Sequence, residues 1–364
     1  MESRQRNSAI ELLRIATIIM IIFHHFNVHG IWIASDYHLP DSWQLALSCM
    51  TGWGGNVGNE IFLIITGYFM IGREIHWKRI ILLLCAMFLY SWVIAALFYG
   101  VLDAPFRWKD VVKYSFPLWS GVNWFVCCYL MFICFVPFIN RFLSTLEKRS
   151  YQGLLLLNYG IFLFIPALHF HASVYLSGAW IQFFVMYMLG GYVRQYGMQS
   201  VLFQNKRPWK NIFCACILLM AVGTVFAVTG HWGSYWRIMN LIEPFMALSC
   251  FMIALLHKPF SSPVINSMAA SVLGIYLIHD NPLVRKFIWT EWYPNLDMIG
   301  SDGFPLFMAG KVALVFLVCL GIDQLRLHFV EPYIKSRLDA HWDTWTERVQ
   351  QWKKKVAVNY LDKV

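Results

Sequence analysis

The sequence predicts an all-α fold, a polytopic bundle of about ten membrane-spanning helices with both termini in the cytoplasm. Composition is the first ground: 59% of the residues are hydrophobic and 13% are charged, where a soluble domain carries roughly 25% charged residues. Ten apolar runs approach the roughly 20 residues that a spanning helix needs. Basic charge is the third ground. Of the 29 Lys and Arg, 21 fall on one side if the runs cross in alternation and 6 on the other. Such a bias marks the richer side as the inner one.

Each run takes its place from the charges around it. Arg4 and Arg6 precede the first run, 9–29, and hold the N-terminus inside. The second, 52–72, returns to Arg73, Lys78 and Arg79. The third, 79–101, leads out to Arg107, Lys109 and Lys113, and the fourth, 122–140, back to Arg141, Lys148 and Arg149. The fifth and sixth, 152–168 and 179–193, end at Arg194, Lys206, Arg207 and Lys210. The seventh and eighth, 211–229 and 238–256, enclose Arg237 outside and reach Lys258 inside. The ninth, 264–280, meets Arg285 and Lys286, and the tenth, 305–324, delivers the chain to a basic tail. Basic residues spread in this way are topology signals, which sets nucleic acid aside as a partner and leaves membrane lipid.

The first run is too long in its apolar part, and lacks the small-residue cleavage site, to be a signal peptide. Ser8-Ala9-Ile10-Glu11 reads as a capping box that starts its helix. We divide the chain into a membrane-embedded unit, 1–335, and a tail, 336–364. Within the tail, Trp342, Trp345, Val349, Trp352 and Val356 recur at helical spacing beside Lys353, Lys354 and Lys355, the pattern of an amphipathic helix on the inner leaflet. A short coiled-coil contact is the alternative. Cys85, Cys127, Cys128, Cys134, Cys214, Cys216, Cys250 and Cys319 lie in apolar runs without metal-like clustering, so they read as buried thiols and no metal site is expected.

Ionisable groups inside apolar runs are costly unless they face a polar interior. The first run carries Arg14 and His25 eleven residues apart. At about 100° per residue they return to one stripe of the helix, roughly 16 Å apart along its axis. Glu11 lies on nearly the same face, and His24 points elsewhere. Snorkelling is the plain alternative for Arg14. Glu60, Glu243, His279 and Lys311 fall, with His25, in the outer halves of their runs. Either these are unrelated interface residues, each hydrated separately, or they line one polar cavity that opens outward.

Several stretches resemble the membrane-bound acyltransferase 3 family, which modifies cell-envelope polysaccharides and related acceptors. The most specific is the arginine–ten residues–histidine pattern, here Arg14 to His25. "GNEIFLIITGYFM" (58–70), "NWFVCCYLMFICFVPFIN" (123–140), with its early Trp124, and "LGIYLIH" (273–279) are similar to the second, fourth and ninth family helices. The loop "GREIHWKRI" departs from the family's Arg-x-x-Arg motif but keeps its basic character in Arg73, Lys78 and Arg79.

The resemblance implies an O-acyltransferase that takes an acetyl or similar short acyl group from acetyl-CoA. The acceptor is a hydroxyl of a cell-envelope glycan or lipid-linked sugar, at a bacterial plasma membrane. Arg14 would anchor the donor, since a guanidinium is permanently charged and forks onto oxyanions. Arg73, Lys78 and Arg79 would assist it, although positive-inside charge is the favoured explanation of those three. His25 would be the general base, because imidazole titrates near working pH. Glu60 or Glu243 would orient it, and His279 would be a second acid–base group. Glu243, Lys311 and Trp124 would contact the acceptor. A carrier or flippase for a polar envelope precursor is the rival reading, and it requires movement of the substrate without chemical change.

Overall fold

The computed structural model describes residues 7–39, 41–168 and 179–361. Arg4 and Arg6 lie outside them, as do the side chains of Val349, Trp352 and Val356. Among the described residues every regular element is a helix. Six helices among the described residues are long and apolar enough to cross a membrane. They are α1 (Ser8–Asn27, prolonged by a π turn to Trp32), α4 (Trp77–Gly100), α6 (Trp124–Ser144), α9 (Lys206–Val228), α10 (Trp232–Leu255) and α13 (Phe304–Leu325). Between these come α2 (Trp43–Gly52), α3 (Gly54–Met70), α5 (Trp108–Ser115), α7 (Lys148–Tyr159), α8 (Ala179–Tyr196), α11 (Pro263–Ala270) and α12 (Val272–His279), and the chain closes with α14 (Glu331–Leu361).

Three of the other apolar runs are helical but broken or shortened for local reasons. Helix α3 has 17 residues and ends where Ile71 turns extended. The fifth run is interrupted by a π turn at Gly160–Phe164. The ninth is split at Ser271, whose hydroxyl accepts a hydrogen bond from Gln324. Buried backbone at such breaks is tolerated where protein, not lipid, surrounds it.

Helix α1 starts one residue earlier than the capping-box reading requires. Asn7 is the N-cap, its side chain accepting from the Ala9 N–H, as asparagine does as readily as serine. Ser8 is buried and committed elsewhere. Its hydroxyl donates to Asn266 and accepts from the Ser262 N–H, which ties α1 to the start of α11.

Helix α1 is the hub and packs against α2, α3, α10, α11, α12 and α13. In lipid, apolar contact alone gives helices little reason to associate, so small residues that let backbones approach do much of the sorting. Helix α3 is built this way on both faces. A Cβ at Gly54 would meet the Met20 backbone and one at Gly58 would meet Ile21, both on α1. On the opposite face Gly67 lies against the Tyr187 carbonyl of α8, and Gly190 of α8 lies against the Ile64 carbonyl of α3. Neither carbonyl can step aside as a flexible side chain would. Gly190→Ala is therefore expected to cost about 1–3 kcal/mol through overpacking, whereas Gly310→Ala, with open space around its Cβ, leaves stability unchanged or raised. Thermal unfolding in detergent measures both, and equal midpoints would contradict this packing.

Helix α13 continues through a π turn, Arg326–Val330, directly into α14. Asp323, near the end of α13, is fully buried. It accepts from the Tyr90 hydroxyl at 2.7 Å and from Arg326 Nε at 2.7 Å. Gly274 of α12 rests directly on that carboxylate, so no side chain fits there. These contacts fix α12, and with it the residues at its end.

Candidate functional site

Helix α12 stops where the sequence forces it to stop. Pro282 cannot continue a helix, and Asn281 caps the next short turn, its side chain accepting from the Leu283 N–H. The last residues of α12 and its cap, His279 and Asp280, are thus held at a helix end, both buried. They face His25, near the end of α1. His25 Nδ1 lies 3.0 Å from His279 Nε2 and 3.5 Å from Asp280 Oδ1. One turn beyond, His29 belongs to the π turn and its ring is 5.2 Å from that of His25. Local π geometry of this kind recurs at functional sites.

The hydrogen-bond pattern assigns the protons. His279 Nδ1 is 2.6 Å from the Ile275 carbonyl, which can only accept, so Nδ1 carries the hydrogen. In the neutral ring Nε2 is then a bare acceptor. His25 Nδ1 must be the donor across the 3.0 Å contact, which leaves His25 Nε2 with its lone pair. Tautomers are set by the partner of the other nitrogen, and this relay makes His25 Nε2 the basic atom of the site. Among the described residues nothing hydrogen-bonds it. Asp280 stands ready to stabilise an imidazolium at His25, and Arg285 holds it from outside with a 3.2 Å contact to the same oxygen. The buried Tyr276 hydroxyl interacts with the same carboxylate. One ligand atom each from His25, His29 and Asp280 lie within 4.8 Å of one another, a grouping that could hold a metal ion.

A cavity of about 1010 Å³ approaches this cluster from the opposite end of α1. Glu11, Arg14, Ile18 and Ile21 line it, a single helical stripe on which His25 is the next position. Phe125 and Tyr276 also line it, and the Tyr276 ring is 6.5 Å from that of His25. His25 itself stands one ring behind that wall. Arg14 is a third exposed; among the described residues its ion-pair partner is Glu11, 3.9 Å away, and its buried Nε has no hydrogen-bond partner. By contrast Arg326, which also lines the cavity, is paired with two carboxylates, Asp323 and Glu331. A guanidinium left short of acceptors inside a cavity is suited to an anionic or carbonyl ligand.

Other residues singled out from the sequence fall in three places. Lys78 and Arg79 line the cavity mouth, whereas Arg73 does not. Glu60 and Glu243 are buried beside each other on α3 and α10 and accept from Gln182 and Asn56. Neither hydrogen-bonds His25, and Asp280 occupies the orienting position expected of them. The physical reason is helical phase: Asn59 faces the cavity, and Glu60, one residue on, is turned away. Lys311 is buried as a structural clasp and donates to the Trp292 and Tyr293 carbonyls and to Asn295 Oδ1 at 2.8–3.0 Å. Trp124 is half-exposed at the start of α6, and its neighbours Phe125 and Val126 line the cavity instead. His24 turns away from His25 to the Gly52 carbonyl.

Asp280, Arg285, His29 and Tyr276 are the site residues that sequence reasoning missed. The signal for Asp280 was present, since three polar residues, His279 to Asn281, follow an apolar helix immediately before a proline.

A family model described as an acyltransferase domain, acyltransferase 3, matches residues 7–323. No curated protein matches the chain, and no solved structure does.

Proposed function

The chain belongs to the acyltransferase 3 family, and on that premise we propose that this membrane acyltransferase moves an acetyl or similar short acyl group from acyl-CoA to a hydroxyl of a cell-envelope glycan or lipid-linked sugar. The observation that carries the reading is the shared stripe of α1. At one end a guanidinium short of acceptors faces a large cavity, and at the other an imidazole has its tautomer fixed. The proposed topology has about ten crossings, several of them by helices shorter than a full span, with both ends in the cytoplasm of a bacterial plasma membrane. The mouth lined by Lys78 and Arg79 then opens to the side where acyl-CoA is made.

Arg14 binds a phosphate or carbonyl oxygen of the donor. The pantetheine arm runs along Ile18 and Ile21, over the roughly 16 Å that separate Arg14 from His25. Tyr276 must turn aside for the thioester to reach the imidazole. His25 Nε2 takes the proton of the acceptor hydroxyl as that oxygen attacks the carbonyl carbon. The carbon–sulfur bond breaks, the ester forms, and the thiolate leaves and recovers a proton from the imidazolium. Asp280 stabilises the positive ring in between, through charge and not through a proton of its own. No residue of the chain needs to be acylated.

Two measurements bear on the roles of neighbours. Asp280→Asn keeps the volume and removes the charge, so acyl transfer is expected to fall about 10- to 100-fold with donor KM little changed. A wild-type rate in that variant would remove Asp280 from the mechanism. The His25, His29 and Asp280 grouping also admits a metal-assisted reading. Dialysis against a strong chelator is expected to leave the rate intact; loss of activity restored by a divalent cation would favour the metal.

A further inference from the structure

The family match ends at residue 323, but the cavity does not. One wall of its mouth is made by the chain beyond that point: Arg326, Lys335, Leu338, Asp339 and Trp342 all line it. Lys335, Leu338 and Trp342 recur at spacings of three and four, so one face of α14 is turned to the cavity. Leu338 is 5% exposed and anchors that face. The amphipathic pattern of the tail therefore has a protein partner over its first turns. From the other side Lys78 of α4 reaches across, its Nζ 2.5 Å from Asp339 and 5.2 Å from the centre of the Trp342 ring. Trp77 lines the same rim.

We propose that α14 carries the subsite for the nucleotide end of the donor, with Trp342 stacking on the base and Lys335 and Lys78 binding its phosphates. This rests on the acyl-CoA reading above and adds Lys335 and Trp342, which the family match does not cover. The chemistry is that of a nucleotide phosphate site: an aromatic face with cations around it. Arg326 is not assigned this role, because Asp323 and Glu331 already neutralise it and hold three of its N–H groups. Asp339 acts as a placeholder. Its pair with Lys78 is 48% and 40% exposed at the two side chains, a setting in which ion pairs contribute little. A doubly charged phosphate takes Lys78 from it at small cost and leaves the carboxylate to water.

Adenosine 3′,5′-bisphosphate, which has the nucleotide phosphates and neither arm nor thioester, is the probe. Its binding to the purified full-length protein is measured by titration calorimetry. The wild type is expected to bind it, Trp342→Ala and Lys335→Gln to weaken it about tenfold each, and Asp339→Asn to strengthen it a few-fold. Lys335 is exposed, so its replacement does not endanger the fold. Absence of binding to the wild type, or equal binding by Lys335→Gln and the wild type, overturns the proposal. So does displacement of the probe by phosphatidylglycerol at comparable concentration, which would assign the mouth to lipid headgroups. Nucleotide binding by a wild type that turns over no acyl-CoA would sink the acyltransfer reading and leave the subsite standing.

Discussion

His25→Ala is expected to reduce acyl transfer about 10²- to 10⁴-fold, the range for loss of a general base, while donor binding stays near wild type. The expectation follows from the relay and not from the presence of a histidine. The Ile275 carbonyl fixes His279, and His279 fixes His25, so the lone pair at His25 Nε2 is set by a 2.6 Å contact to backbone and a 3.0 Å contact between rings. His279→Ala breaks the relay one step back. It should lower the rate less, since a free His25 still samples the productive tautomer. His24→Ala is a useful contrast, because that ring is bonded to α2 and packs on Gly55. Any loss there should appear as lowered stability and not as a specific catalytic defect. Single-turnover rates, with membrane insertion checked, separate these cases. A His25→Ala enzyme as fast as the wild type would leave the imidazole as a packing residue.

Arg14→Lys is expected to raise the donor KM about 10- to 100-fold, the scale of losing hydrogen bonds to a charged group, with a smaller effect on the maximal rate. Charge is conserved in this variant. What it loses is the planar fork, which binds two oxygens at once, and lysine replaces it with a point charge. The buried, unpartnered Nε of Arg14 is the atom at issue. A snorkelling residue would tolerate the exchange, because either head group reaches water equally well. Unchanged kinetics in Arg14→Lys would therefore assign the side chain to the interface and leave the cavity without its anchor.

What could be read from the sequence divides along physical lines. Helical periodicity is a local property, so the common stripe of Arg14 and His25 was visible in the spacing, and the cavity now runs along that stripe as far as Ile21. The position of His279 at the end of its run was visible for the same reason. Partnership across helices is not local. Glu60 and Glu243 have the chemistry to orient an imidazole, but helical phase turns Glu60 away from the cavity and toward Gln182. Asp280 was overlooked because its role depends on where α12 stops, and the contacts of Gly274 with Asp323 fix that helix in place. Lys311 shows the opposite failure. An intramembrane cation invites a ligand, yet two carbonyls and Asn295 satisfy it within the fold. Six helices among the described residues have full spanning length, and hydropathy does not register a break such as the one at Ser271.

The direct test is transfer of label. Purified protein is reconstituted in vesicles with acetyl-CoA carrying a radiolabelled acetyl group and with cell-envelope glycan, and ester-linked label in the glycan is counted for the wild type and for His25→Ala. The expected result is label in the glycan with the wild type, released by mild alkali, and near-background label with the variant. Glycan that crosses the vesicle wall unlabelled, or a variant that labels as well as the wild type, would contradict acyl transfer at His25.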